Sequence, residues 1–357
     1  MEQGTLGALW VVGLASLALA GCSKQEPGPA RLAADAPITG EVLPTTRLTL
    51  GDPAVQRQLE LTGELKALPF VVNWQNISGG PQTLEAFRAH ALEGGSVGDT
   101  PPIHARFTGV DVKIIAVQVR TKPIYQLAVA PGVRVASIAD LRAKRIAYSP
   151  GQAQGALILR VLARAGLAQD EVQLVQLIST EFKDALASHQ VDVAPLGSTI
   201  LLRYLNEYRS EGASAIPHGV EDSLGFFYVS ADVLSDPQKA AALREYVKLR
   251  TRSQLWAYQH PEDWIRGYYV KDQGLTEEEG RYLVETTGGP EYPGDWSESI
   301  ARTQQTIDLL AAATNQQRFD ASELFDRRFE RVGAEVASAA ARLGQVTPEQ
   351  VVGVAQP

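Results

Sequence analysis

Cysteine is nearly absent from this chain: its 357 residues include one, Cys22, so no intrachain disulfide can form. A disulfide scaffold is excluded, and nucleophilic thiol chemistry has no second cysteine to draw on. The five histidines, His90, His104, His189, His218 and His260, show neither HxH nor HxxxH spacing, which argues against a metal site. GxSxG, Walker A and GxGxxG patterns are also missing, so no catalytic residue, cofactor or metal is expected. Basic charge is in short supply, with 33 Lys and Arg against 41 Asp and Glu for a formal net charge of −8. That balance speaks against nucleic acid, which usually selects a basic patch. An anion bound by such a chain has to be held by local dipoles or by single cations.

What is present begins at the N-terminus. Residues 5 to 20, TLGALWVVGLASLALA, are apolar or small throughout, short for a membrane span and of the length of a secretory signal core. The run ends at Leu19-Ala20-Gly21-Cys22, which resembles the bacterial lipoprotein signal, although the leading MEQG lacks the usual Lys or Arg. The resemblance implies cleavage after residue 21, lipidation of Cys22 and attachment to the outer face of the cytoplasmic membrane. The alternative is a short anchor that is never cut. Residues 23 to 44, rich in Ala, Pro and Gly without hydrophobic period, read as a flexible tether.

From Arg47 onward short apolar runs alternate with helical periods, the signature of an open, mainly parallel α/β sheet. Strands are expected at 48–50, 70–74, 96–97, 112–119, 125–129, 145–148, 172–177, 191–195, 213–217 and 226–229. Helices are expected between them, including one over 137–144 capped by Ser137, and then over 236–259, 261–270, 276–285, 296–313 and 320–330. A chain of this length suggests about two lobes. The first part of lobe I is placed at 45–121, lobe II at 122–221, the return to lobe I with the C-terminal helices at 222–342, and a tail at 343–357.

In open α/β sheets the loops at the carboxyl ends of strands gather into the site. Five such loops are small or glycine-rich: Gly51-Asp52, Ser78-Gly79-Gly80, Gly98-Asp99-Thr100, Ser149-Pro150-Gly151-Gln152 and Gly197-Ser198-Thr199. Each precedes a helix whose first amides lack intrahelical partners and carry the positive end of the dipole. One loop of this kind is only a tight turn; five of them, split between two lobes, point to an anion-binding cleft. Asp52 and Asp99 read as helix caps rather than an acid–base pair. Arg120 and Lys122, ending the apolar strand, either face solvent or supply the cation. Trp74, Phe226, Phe227 and Tyr228 read as core, and Trp256, Trp264, Tyr268 and Tyr269 as packing of the helical region.

Several of these stretches resemble one family. Leu68-Pro69-Phe70, Trp74, Ser78-Gly79-Gly80-Pro81, Leu84-Glu85-Ala86 and Gly95-Ser96-Val97-Gly98-Asp99-Thr100-Pro101-Pro102 are similar to the substrate-binding lipoproteins of ABC importers for aliphatic sulfonates, nitrate and taurine, the sulfonate branch above all. Asp140-Leu141-Arg142-Ala143-Lys144 resembles the family's turn into its second lobe, with Ala143 in place of glycine, and His260-Pro261-Glu262 matches its C-terminal region. The resemblance covers residues 45 to 330. It implies a type II periplasmic-binding-protein fold, two α/β lobes around a cleft with a helical C-terminal region, closing on ligand. It further implies a small organic anion as ligand, a sulfonate first and otherwise nitrate, taurine or a heterocyclic precursor. An ABC permease in the cytoplasmic membrane is the implied partner, for a protein acting as a monomer. The ligand-binding positions carried over or read from the loops are Asp52, Ser78, Gly79, Gly98, Asp99, Thr100, Arg120, Ser149, Gly151, Gln152, Gly197 and Ser198. The segment Val193–Ser198 departs from a Trp-bearing motif of many relatives. Enzymes of the same fold, desulfinases with a cysteine nucleophile among them, form the alternative class, which the lack of a free cysteine disfavours.

Overall fold

The computed structural model describes residues 31–77 and 79–343. The expected signal segment, Cys22, Ser78 and the tail beyond Leu343 lie outside the described residues. The chain first lays down β1 (Arg47–Gly51), α1 (Pro53–Thr62), β2 (Val71–Trp74), α2 (Gly80–Arg88), β3 (Gly94–Gly98), α3 (Pro101–Phe107) and β4 (Val112–Arg120). It crosses over and builds β5 (Tyr125–Val129), β6 (Arg145–Tyr148), α4 (Ala153–Ala165), β7 (Gln173–Gln176), α5 (Phe182–Ala187), β8 (Val193–Gly197), α6 (Ser198–Tyr208) and β9 (Ser214–Ile216). It returns through β10 (Leu224–Ser230) and ends in α7 (Pro237–Gln259), α8 (Pro261–Trp264), α9 (Glu277–Thr287), β11 (Pro290–Glu291), α10 (Ser297–Thr314) and α11 (Val332–Arg342).

Two sheets result, one ordered β11-β4-β10-β3-β1-β2 and the other β7-β6-β8-β5-β9. β4, the continuous apolar run VKIIAVQVR, lies inside the first, with Ile114 and Ile115 fully buried. In the second, α4 turns one apolar face onto the strands, burying Leu157, Ile158 and Val161, and stops at Gly166 in the left-handed region at φ 67°. Both sheets are mixed rather than mainly parallel. β1 runs parallel to β2 and β3, and β6 to β7 and β8, while β10 is antiparallel to β3 and β4 and β5 is antiparallel to β8 and β9. β10 and β5 are the strands entered through a crossover, and a strand arriving from the other lobe enters its sheet from the opposite end; the short β11 is also antiparallel, to β4. The two crossovers are tied together. The Asp222 carboxylate accepts the backbone N–H of Tyr125 at 2.8 Å and of Ile124 at 3.0 Å, and the buried His218 ring lies 3.0 Å from the Tyr125 carbonyl.

Other local expectations change for identifiable reasons. The helix expected over 137–144 is only the turn Ile138–Leu141, since Ala143 adopts φ 58°, the left-handed conformation that favours glycine. Residues 320–330 form two short turns, because the carboxylates of Asp320 and Asp326 accept backbone N–H groups of Ser322 at 2.8 Å and Arg328 at 3.1 Å and compete with a helix. The alanine-rich α11 lies beyond the expected helices. Residues 31–44, expected as free tether, run along the body: Ile38 is buried, Arg244 donates to its carbonyl at 3.1 Å, and Arg328 donates to the carbonyls of Ala33 and Ala36 at 3.2 Å.

Candidate ligand site

At the carboxyl end of β4 the structure places a half-open cavity of about 270 Å³. Gln118 and Arg120 come from β4, Gln254 from α7, and Thr199 from the first turn of α6 in the second lobe. Trp264, Tyr268 and Tyr269 form the opposite wall. α6 is held against this C-terminal region by Asn206 Nδ2 donating to Glu279 at 2.6 Å and by Arg203 donating to the Gln273 carbonyl.

Arg120 is the only charged side chain on the cavity wall among the described residues. It is half-buried, and no carboxylate of the described residues lies in ion-pair range of it. Burial pushes its guanidinium below the ordinary value, and the like charge of Arg250 acts in the same sense. An arginine stays charged through such a shift. The wall thus holds a desolvated cation with donors and no protein anion, the environment in which an anionic ligand gains most.

Behind the cavity lies a buried network centred on Asp52. Its carboxylate accepts from Ser96 Oγ at 2.8 Å, from the Tyr246 hydroxyl at 3.0 Å and from Arg250 Nε at 3.3 Å. Arg250 also donates to Gln254 Oε1 at 3.1 Å, and the Tyr292 hydroxyl donates to the same oxygen at 2.9 Å. With its carbonyl so occupied, Gln254 has its amide N–H groups to offer to the cavity. The Asp52 side chain therefore makes no cap hydrogen bond to α1; it is paired with Arg250 and orients the layer in front of it.

The aromatic wall comes from a local departure from α-geometry. Residues Ile265–Val270 form a π-turn after α8, the kind of insertion that clusters at functional sites. It brings the consecutive Tyr268 and Tyr269 onto one cavity. Trp264 and Tyr268 stack with centroids 4.3 Å apart and planes 9° from parallel, and Tyr269 stands edge-on to Tyr268 at 5.4 Å. Gly267 lets Leu61 pack close, since a Cβ there would lie 2.5 Å from Leu61 Cδ1 and the leucine side chain would have to move. Burial pushes the phenols of both tyrosines up, so they remain neutral.

Of the residues expected at the site, Arg120 lines this cavity and Gly197 and Ser198 lead into Thr199 at its edge. Lys122 instead donates to the Glu285 carbonyl. Gly79, Gly98, Asp99, Thr100, Ser149, Gly151 and Gln152 gather elsewhere, in a close contact between the lobes. A Cβ on Gly98 would lie 2.8 Å from Ala153 Cβ, and one on Gly151 would lie 2.7 Å from the His104 ring. Asp99 does not cap α3; its carboxylate pairs with Arg160 of α4, which also donates to Thr306 Oγ1 at 2.6 Å and to the Glu221 carbonyl at 3.2 Å. Thr100 is fully buried and donates to Asp99 at 3.0 Å, while the Ser149 hydroxyl donates to Gln152. In the stretch Glu93–Pro102, Gly98 thus serves the close approach of the two lobes, while Gly94 and Gly95 leave room for Phe227 and Thr83 within the first. Two larger hollows are less suited to a small anion. One of about 410 Å³ borders this contact, where Arg88 is already paired with Glu85, and Glu181 adds negative charge. Another of about 760 Å³ is a surface groove between α1, α7 and α11, where Arg252 is already paired with Glu64 at 3.4 Å. Sequence reasoning missed Trp264, Tyr268, Tyr269, Gln118 and Gln254. The sole hint in the sequence is two adjacent tyrosines directly after a glycine, which no regular helix places on one face.

Residues 96–263 match the protein-family model described as NMT1/THI5 like. A protein of Escherichia coli (strain K12) named for binding aliphatic sulfonates is 28% identical over 165 residues, 45% of this chain and 50% of that protein, so the match spans half the length of this curated relative. Among solved structures, the alkanesulfonate-binding protein of Xanthomonas axonopodis pv. citri bound to MOPS superposes with a TM-score of 0.68 at 20% identity, covering 80% of this chain and 99% of that one. A desulfurization enzyme superposes with a TM-score of 0.54 at 15% identity, covering 81% of this chain and 99% of that one. The chain has the type II periplasmic-binding-protein fold, and over 165 of its residues it is homologous to a protein named for binding aliphatic sulfonates.

Proposed function

We propose, from this homology and from the Arg120 cavity, that the chain is the extracytoplasmic solute-binding component of an ABC importer and captures a small organic sulfonate. The single observation that carries the reading is Arg120: a cation shielded from water, without a carboxylate partner among the described residues, facing a partly aromatic cavity. A sulfonate supplies a permanent charge and three acceptor oxygens, which suit a guanidinium flanked by amide and hydroxyl donors. No bond need be made or broken; ligand has only to favour the closed arrangement of the lobes over the open one. Nitrate would satisfy Arg120 and leave the aromatic wall without a partner. An enzyme of this fold is the other class, and the chain's one cysteine, Cys22, sits in the lipobox-like segment. In this reading Cys22 carries the lipid, the folded body stands at the outer face of the cytoplasmic membrane as a monomer, and the permease receives the ligand. The test is thermal-shift screening of the full-length chain in mild detergent against alkyl and aryl sulfonates, sulfate esters, nitrate and taurine. Sulfonates are expected to raise the melting temperature. Stabilisation by neutral or cationic compounds alone contradicts the reading.

A further inference from the structure

Resting on that reading, we infer that the cavity is built for an aromatic monosulfonate: a flat ring bearing one anionic group and no ammonium. Charge is the first argument. Among the described residues the wall has one charged side chain, Arg120, and no Asp or Glu. The anionic head of a zwitterion such as taurine finds a partner there, but its ammonium meets no carboxylate and has only aromatic faces to set against its lost hydration. The second argument is shape. Trp264 is buried and Tyr268 half-buried, so their stack ends on Tyr268, and the edge-on Tyr269 closes a corner beside it. A third flat ring entering this corner can stack on one tyrosine and meet the other edge to face, both favoured geometries. An alkyl chain of equal area gains the burial without the stacking and loses rotor freedom. The third argument is size. About 270 Å³ lies at the small end of ligand sites, suited to one ring with its head group. Consecutive tyrosines reach this corner through the π-turn, which Arg57 fastens by donating to the Gly267 carbonyl at 2.9 Å.

Calorimetric titration of the full-length chain in mild detergent with benzenesulfonate, hexanesulfonate, taurine and benzyl alcohol tests this. Benzenesulfonate is expected to bind about 2- to 12-fold more tightly than hexanesulfonate, the span of one aromatic contact, with taurine weaker than both. Tyr268→Leu is expected to bring the ratio of benzenesulfonate to hexanesulfonate affinity toward one, whatever its effect on the two affinities together. Hexanesulfonate binding as tightly as benzenesulfonate to the wild-type chain overturns the aromatic assignment and leaves the sulfonate reading standing. Taurine binding as tightly as benzenesulfonate overturns the single-charge assignment. Benzyl alcohol binding while no sulfonate does overturns both. The wild-type series alone decides, whether or not the variant folds.

Discussion

Replacing Asp99 by Asn removes one charge from the ion pair that joins the lobes while keeping the side chain's shape. In the structure Asp99 is 8% exposed and Arg160 19% exposed, so the pair is largely shielded from water. Arg160 holds three groups at once: Asp99 of the first lobe, Thr306 of α10 and the Glu221 carbonyl of the second crossover. A hydrogen bond involving a charged group contributes about 1.5–3 kcal/mol, and residual exposure places this pair toward the lower figure. If the pair forms only when the lobes meet, its loss weakens closure by that amount. A factor of ten accompanies each 1.4 kcal/mol, so apparent ligand affinity falls by roughly 10-fold and at most about 100-fold. Neither Asp99 nor Arg160 lines the Arg120 cavity. The factor is therefore the same for every ligand, and it appears mainly as faster dissociation. Stopped-flow and calorimetric measurements on the wild-type chain, Asp99→Asn and Arg160→Gln check this with two sulfonates of different body. A loss that differs several-fold between the two ligands, or affinity unchanged in both variants, refutes the latch.

Two further outcomes follow from the buried and titrating groups. Asp52→Ala leaves Arg250 buried without its carboxylate and is expected to cost about 3–5 kcal/mol, whereas Asp52→Ala with Arg250→Met costs much less than the two single changes together; urea denaturation of the set checks the difference. Burial, and then the Arg88 charge, hold the His104 imidazole below its ordinary value of 6.5. A lowered folded value favours the neutral ring in the folded protein, so its contribution is complete above 6.5 and is lost as pH falls from there through the lowered value. His104→Gln is expected to flatten the fall in melting temperature over that window, and an unchanged pH profile contradicts the assignment.

The alternation of strands and helices was legible because burial imposes it. VKIIAVQVR, apolar without a break from Ile114 to Val117, reads as a strand covered on both faces. The pairing directions were not legible: nothing local in Leu224–Ser230 says that the strand enters its sheet from the other lobe. At the site, glycine-rich loops correctly signalled close approach, but glycine does not tell ligand from protein as the approaching partner. Gly98 meets Ala153 and Gly151 meets His104. Arg120 was visible as a charge ending an apolar strand, since such a residue must find water, a counterion or a ligand. Tyr268 and Tyr269 were read as packing because a regular helix turns neighbours about 100° apart. The π-turn that brings them together is set by tertiary contacts of Gly267 with Leu61 and Arg57, far away in sequence.

The account rests most heavily on Arg120 as the anion-holding residue. Calorimetric titration of Arg120→Met with benzenesulfonate and hexanesulfonate addresses it directly, since truncating one partner of a buried charge pair costs about 2–5 kcal/mol. The account predicts a loss of at least about 30-fold for both ligands, with the free protein no less stable than wild type because a desolvated cation has been removed. Wild-type affinity in Arg120→Met would contradict it and move the site away from the end of β4.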